Sequence, residues 1–234
     1  VKSIAIMQPY FLPYIGYFQL IAAVDKFIVF DDVNFINRGW INRNRILVSG
    51  RPYLFTLPIR SASQNRLIHE LELANELPWR EKLLRTFFQA YRRAPHFKEV
   101  SILIEDIIQF ESHSLGAFVL NSIAHVATFL EIQTELVATS RVYANAALSG
   151  EDRILDICRI ESASTYVNAI GGFELYQKAA FTERGVSLQF LETKQFRYSQ
   201  LRLPFVDKLS IADVLMFNGK ATTRQLLSES RLVS

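Results

Sequence analysis

The sequence predicts an α/β fold: a mostly parallel, Rossmann-like sheet with helices on both faces, a β-hairpin excursion and an inserted helical subdomain. Three observations predict it. Short apolar runs alternate with segments whose apolar residues recur at helical spacing, the pattern of strand–helix–strand units. Strands joined through helices pair in parallel and are buried on both faces. A block of three helical segments then interrupts the alternation in mid-chain. The chain has 234 residues, 50% apolar and 21% charged, enough for one substantial core. No internal repeat or linker divides it, so a single domain over 1–234 is expected, with the helical insert near 76–132.

Ser3 to Met7 reads as a buried strand, Gln8 to Ile15 as a Pro-punctuated loop, and Gly16 to Ala23 as a helix. Phe27 to Phe30 is a second buried strand ending at Asp31-Asp32. Ile46 to Val48 and Tyr53 to Leu57, on either side of Ser49-Gly50-Arg51, form a hairpin. Pro78 in a first-turn position opens a helix over Trp79 to Arg92, and helices over Phe97 to Phe110 and Ser114 to Leu130 follow. Alternation then resumes with strand Glu135 to Ala138, helix Glu151 to Ile160, strand Thr165 to Asn168, helix Gly172 to Phe181 and strand Val186 to Leu191. The closing helix, Ser210 to Phe217, has a Ser N-cap and an Asn218-Gly219 stop, so capping and core explain most of it; Asp213 and Asn218 are the polar residues to watch there.

Several function classes drop out. Neither G-x-G-x-x-G nor G-x-x-x-x-G-K-[ST] occurs, which disfavours dinucleotide oxidoreductases and P-loop enzymes, and no cofactor is expected. His69, His96, His113 and His125 lack metal-ligand spacing, so no metal is expected. Cys158 has no thiol partner and shares a helix side with Ile154 and Leu155, as a buried filler does. The single cysteine points to a reducing compartment. Gln8-Pro9, Pro13 and Gln19 break up the apolar start, no small-x-small cleavage site follows it, and no stretch spans a membrane, so a cytoplasmic location is expected. A formal charge of +3 is too small to argue for nucleic acid.

Ligands of parallel sheets bind beyond the carboxyl ends of the strands, which directs attention to three segments. Gln8 to Phe18 holds two prolines and the five aromatics Tyr10, Phe11, Tyr14, Tyr17 and Phe18. Gly16 there lets backbone N–H groups at a helix start approach an anion, and Tyr10, Tyr14 and Tyr17 offer rings with hydroxyl tips for a base or sugar. An aromatic core plug accounts for the same composition equally well. Asp31 to Arg45 contains Arg38, Arg43 and Arg45 to clamp phosphates, Trp40 to stack, Asn42 to hydrogen-bond, and Asp31 or Asp32 to accept a proton. Tyr166 to Gly172 leads a strand through Asn168, Gly171 and Gly172 towards a helix, a second candidate anion cradle or a plain turn.

The opening strand, proline loop, helix and acid-ended second strand also resemble the start of a nucleotidylyltransferase-type domain. There, two histidines around a glycine hold phosphates; here Tyr14 and Tyr17 stand in their places. A phenol with a pKa near ~10 cannot share a proton at neutral pH as histidine does, so this resemblance implies fold alone.

Four stretches, Ile6 to Leu20 (IMQPYFLPYIGYFQL), Val24 to Ile46 (VDKFIVFDDVNFINRGWINRNRI), Tyr166 to Gly172 (YVNAIGG) and Leu209 to Asn218 (LSIADVLMFN), resemble the WbqC-like family from end to end. The resemblance implies a bacterial, cytoplasmic protein of O-antigen or other surface-polysaccharide biosynthesis. It further implies transfer of glycine or another acyl unit onto an amino sugar. Placed on these residues, a nucleotide-linked amino sugar would lie between the Tyr-rich and Arg/Asn loops, with Arg43 and Arg45 on its pyrophosphate. Trp40 or Tyr14 would stack on it, and Asp31 or Asp32 would deprotonate the attacking amine. A non-catalytic nucleotide or sugar-phosphate binding module, and a scaffold of a polysaccharide assembly complex that uses the aromatic loop as an interface, remain open. Oligomeric state is open as well. The small net charge conceals an asymmetry that suits an anionic ligand: residues 33 to 69 carry six arginines and no acid, leaving a net −3 on the rest.

Overall fold

The computed structural model describes residues 2–200 and 204–234. In chain order the elements are β1 (Ser3–Met7), α1 (Ile15–Ala22), β2 (Lys26–Val29), the hairpin β3 (Arg43–Val48) and β4 (Arg51–Thr56), and the short ladder β5 (Ile59–Arg60) and β6 (Glu72–Leu73). Helices α2 (Trp79–Tyr91), α3 (Phe97–Gln109) and α4 (Leu115–Phe129) follow. The chain closes with β7 (Glu135–Val137), α5 (Gly150–Ile160), β8 (Thr165–Ala169), α6 (Lys178–Glu183), β9 (Ser187–Thr193), α7 (Ile211–Leu226) and β10 (Ser230–Val233).

Six strands form one sheet in the order β10-β9-β8-β1-β2-β7, parallel throughout except for the antiparallel edge strand β10. The strands that follow β1 run outward on one side as β2 and β7, and those of the second half run outward on the other side as β8 and β9. The order therefore reverses between β1 and β8.

Side chains alternate across a strand, and the two faces bury separate apolar sets. Ala5, Phe27, Val29, Val167 and Leu191 face α1 through Phe18 and Ile21, in a cluster that continues without a break into Phe87 of α2, Ile104 of α3 and Phe118 of α4. Ile4, Ile6, Ile28, Tyr166, Leu188 and Phe190 face Ile154, Leu155, Ile157 and Cys158 of α5 and Phe181 of α6. Cys158 is fully buried, and burial pushes its thiol up to about 12, as suits a core filler rather than a nucleophile. The helices α2 to α4 share their core with one face of the sheet.

Three expectations change. The helix foreseen over Gly172 to Phe181 is a 3₁₀ turn (Ile170–Leu175) followed by the short α6, because Tyr176 adopts an extended backbone. Its ring packs edge-on against Tyr166 and Phe181, and the N–H of Gln177 donates to Glu151 instead of continuing a helix. The hairpin is longer than its apolar core suggested, so Arg43, Asn44 and Arg45 lie in a strand and not in a loop. Asn218-Gly219 does not end α7 but kinks it: Gly219 has φ 68° and ψ −178°, and the Met216 carbonyl accepts from the His96 N–H. Among the described residues no helix is long and apolar enough to cross a membrane.

Candidate functional site at the carboxyl edge of the sheet

Pro9 and Pro13 deny the chain two N–H donors after β1, and Leu12 takes a left-handed backbone (φ 42°), so the strand ends in a tight loop. Half of this loop is core. Phe11 and Leu12 are fully buried, and the Phe11 ring packs on Phe55 at 5.8 Å and Phe118 at 5.5 Å. Tyr17 is also core: its hydroxyl donates to the Gln8 carbonyl at 2.9 Å, and its ring meets Phe27 edge-on. Tyr10 is half-buried, 5.6 Å from the Tyr17 ring. Tyr14 is exposed, and its ring lies over Gly16, where any side chain would collide with it. Burial raises the phenols of Tyr10, Tyr14 and Tyr17, a hydrogen bond with Thr193 partly opposing this at Tyr14, so the hydroxyls stay neutral.

Across the reversal, Asn168, the penultimate residue of β8, is buried; its side-chain carbonyl accepts from the Ala169 N–H at 2.8 Å. Its amide nitrogen lies 2.5 Å from where a Cβ on Gly172 would stand, so the glycine is needed for that approach. Gly171 is exposed with open space beside it. The loop after β1, with Gln8, Tyr10 and Tyr14, and the turn after β8 therefore border the position where the strand order reverses.

Asp31 and Asp32 follow β2, one strand away, and both turn towards the segment after β7. Asp31 accepts from the Thr139 hydroxyl at 2.7 Å and the Ser140 N–H at 3.3 Å, with Arg141 at 3.7 Å. Asp32 is ion-paired with Arg153 and accepts from the Ser140 hydroxyl. Arg153 in turn donates to Asn145 at 3.0 Å and to the Asp32 carbonyl at 3.3 Å, and lies 4.7 Å above the Phe30 ring. Two strand spacings, about 10 Å, separate the end of β2 from that of β8.

The Arg/Asn segment divides by side-chain direction. Asn42 donates to the Leu57 carbonyl at 2.8 Å and Asn44 to the Leu12 carbonyl at 2.8 Å, so these buried amides fasten the hairpin and the Tyr-rich loop. The Phe11 N–H bonds the Ile41 carbonyl, Ser210 N–H the Arg45 carbonyl and Ile211 N–H the Pro13 carbonyl, which holds loop, hairpin and α7 together. Arg43 and Arg45 alternate with Asn44 and so point to the opposite face, where they lie over the Trp40 ring. Arg38, exposed at φ 61°, belongs to the preceding turn.

Two polar groups escaped the sequence reading. Arg153 was hidden in the apolar face of α5; only its place beside Ile154 and Leu155 signals burial. The other is the surroundings of Asp213, which is fully buried and accepts from the hydroxyls of Tyr91 and Tyr198, both at 2.7 Å, and from the Gln200 amide at 2.9 Å. With no cation among these partners, burial raises the Asp213 carboxyl above its ordinary value, against the three hydrogen bonds. Among the described residues no group of three or more His, Cys, Asp and Glu is arranged to hold a metal ion.

The sequence profile of the WbqC-like protein family matches residues 8–225. Uncharacterized protein Rv1507c of Mycobacterium tuberculosis is 30% identical over 235 residues, covering 98% of this chain and 99% of that protein. No solved structure matches significantly.

Proposed function

The chain belongs to the WbqC-like family, and from that premise we propose that the carboxyl edge of its sheet binds a nucleotide-linked amino sugar and transfers an acyl or aminoacyl unit onto its amine. The observation that carries this reading is the reversal of strand order between β1 and β8, bordered by Tyr14 and Gly16 on one side and by Asn168, Gly171 and Gly172 on the other. Open parallel sheets of the Rossmann-like kind bind ligands at such a reversal. The start of α1, which has no side-chain cap, and the open Gly171 turn would receive the anionic part, and Tyr10 and Tyr14 would offer neutral hydroxyls. Arg43 and Arg45, across the hairpin, would contribute as charge that draws an anion to this end of the molecule.

A base that deprotonates the amine falls to Asp31 in this reading, because Asp32 is held by the buried Arg153, whereas the hydrogen bonds to Asp31 fall on one oxygen and the other meets only the exposed Arg141 at 3.7 Å. The role of Asp31 is tested by comparing turnover and ligand affinity in Asp31→Asn. A transferase loses turnover with affinity largely kept. If no donor supports turnover in wild type while a nucleotide sugar still binds, the chain is a binding module.

A further inference from the structure

Of the six arginines between Val33 and His69, only Arg60 is ion-paired among the described residues, to Glu72 and Glu76. Two of the others, Arg43 and Arg45, share one face of β3 and stand opposite Thr56 and Leu54 of β4. Their guanidiniums lie 5.8 and 5.4 Å from the centre of the Trp40 ring, and the Nε of Arg45 is buried without a hydrogen-bond partner. The same segment exposes large apolar side chains: Trp40 is 43% exposed, Leu54 45% and Ile36 52%. A turn closed by the Gly39 N–H on the Ile36 carbonyl at 2.9 Å carries Ile36 and Arg38 next to Trp40.

Among the described residues the two arginines meet only neutral carbonyls, Arg43 that of Gly39 at 2.8 Å and Arg45 that of Lys208 at 3.4 Å, so the cations lack counter-charge while Ile36, Trp40 and Leu54 keep exposed apolar surface. An anionic bilayer surface matches both, since indole and leucine side chains settle at headgroup depth while guanidiniums meet lipid phosphates. We propose that the outer face of the β3–β4 hairpin docks on an anionic phospholipid bilayer. A polynucleotide would match the charge and stack on Trp40, but it would leave Ile36 and Leu54 in water. The docking face lies across the hairpin from the ligand edge, and vesicle binding and nucleotide-sugar binding are measured separately, so failure of one reading is told apart from failure of the other.

The chain has two tryptophans, and Trp79 is only 7% exposed, so a change in indole emission on vesicle binding reports Trp40. The full chain is titrated with vesicles of phosphatidylcholine alone, with vesicles also containing phosphatidylglycerol, and with a DNA oligonucleotide. Cosedimentation and a blue-shifted emission with the anionic vesicles alone, weakened by salt, are expected. Arg43→Ala with Arg45→Ala should lower partitioning about 25-fold, at about fivefold per arginine. Leu54→Ser, which removes no charge, should weaken binding and leave the melting temperature unchanged, so it remains informative if the double variant folds poorly. No vesicle binding at low salt, equal binding to neutral vesicles, or binding to the oligonucleotide alone would overturn the proposal.

Discussion

Arg153 of α5 is ion-paired with Asp32 at the end of β2, and both side chains are only 5% exposed. The pair ties the α5 face of the sheet to its carboxyl edge, and through Ser140 and Asn145 it also fixes the turn after β7. Removing one member leaves the other buried and unpaired, which costs more than the pair itself contributes. Arg153→Met should therefore lower unfolding free energy by about 3–5 kcal/mol. The Asp32→Asn, Arg153→Met double variant should recover part of that loss. Urea denaturation of the two single variants and the double variant measures both effects.

The Asp213 group predicts a different balance. Tyr91 links the carboxyl to the β3 backbone by accepting the Leu47 N–H at 3.2 Å, while Tyr198 and Gln200 tie it to the segment after β9. Asp213→Ala orphans two phenols and an amide and should cost about 2–4 kcal/mol. Because the folded carboxyl titrates above its ordinary value of 3.8, its ionised form opposes folding. Acidification from neutral pH through the folded value should thus relieve a destabilisation in wild type that Asp213→Asn lacks. Stability of the two proteins against pH, compared by denaturant titration, shows whether their difference closes in that direction.

Gly219 is required twice over. Its φ of 68° is left-handed, and a Cβ there would come within 2.5 Å of the His96 ring. Gly219→Ala should cost about 1–3 kcal/mol, read as a lower melting temperature. His96→Ala should return part of this, since it clears the collision but not the backbone strain.

Glu161 supplies a pH dependence of the opposite sign. Burial raises its carboxyl, but hydrogen bonds from Lys2 at 2.6 Å, Tyr143 at 2.6 Å and Lys26 at 2.9 Å outweigh that and hold it at about 2. A depressed carboxyl stabilises the fold fully above its ordinary value of 4.5, and the contribution disappears as pH falls towards about 2. Glu161→Gln should be less stable than wild type at pH 7, and the gap should narrow across that acid window.

Much of the fold was legible because burial on both faces leaves a plain signature. β1 and β2 are apolar runs ended by proline and by acid, and their alternate residues do face different cores. What could not be read required tertiary partners. Tyr176 breaks the foreseen helix because Tyr166 and Phe181 draw its ring inward, and Gly219 kinks α7 where His96 packs. β10 is an edge strand whose exposed Arg231 and Leu232 give no buried pattern. At the candidate site, residue type indicated polar and aromatic segments but not direction. Asn44 and Arg45 are neighbours in sequence, yet one fastens the Tyr-rich loop and the other faces away from it.

The central claim, an anionic ligand at the reversal between β1 and β8, is tested most directly by Gly171→Asp. A Cβ at Gly171 would meet nothing within 4 Å among the described residues, and the position is exposed, so the variant adds a negative charge at the turn at little packing cost. Isothermal titration of wild type and variant against a panel of nucleotide amino sugars should show binding to wild type that the variant loses by at least about tenfold, with equal melting temperatures. Equal affinity in both proteins, or no binding of any member of the panel to folded wild type, would contradict the account.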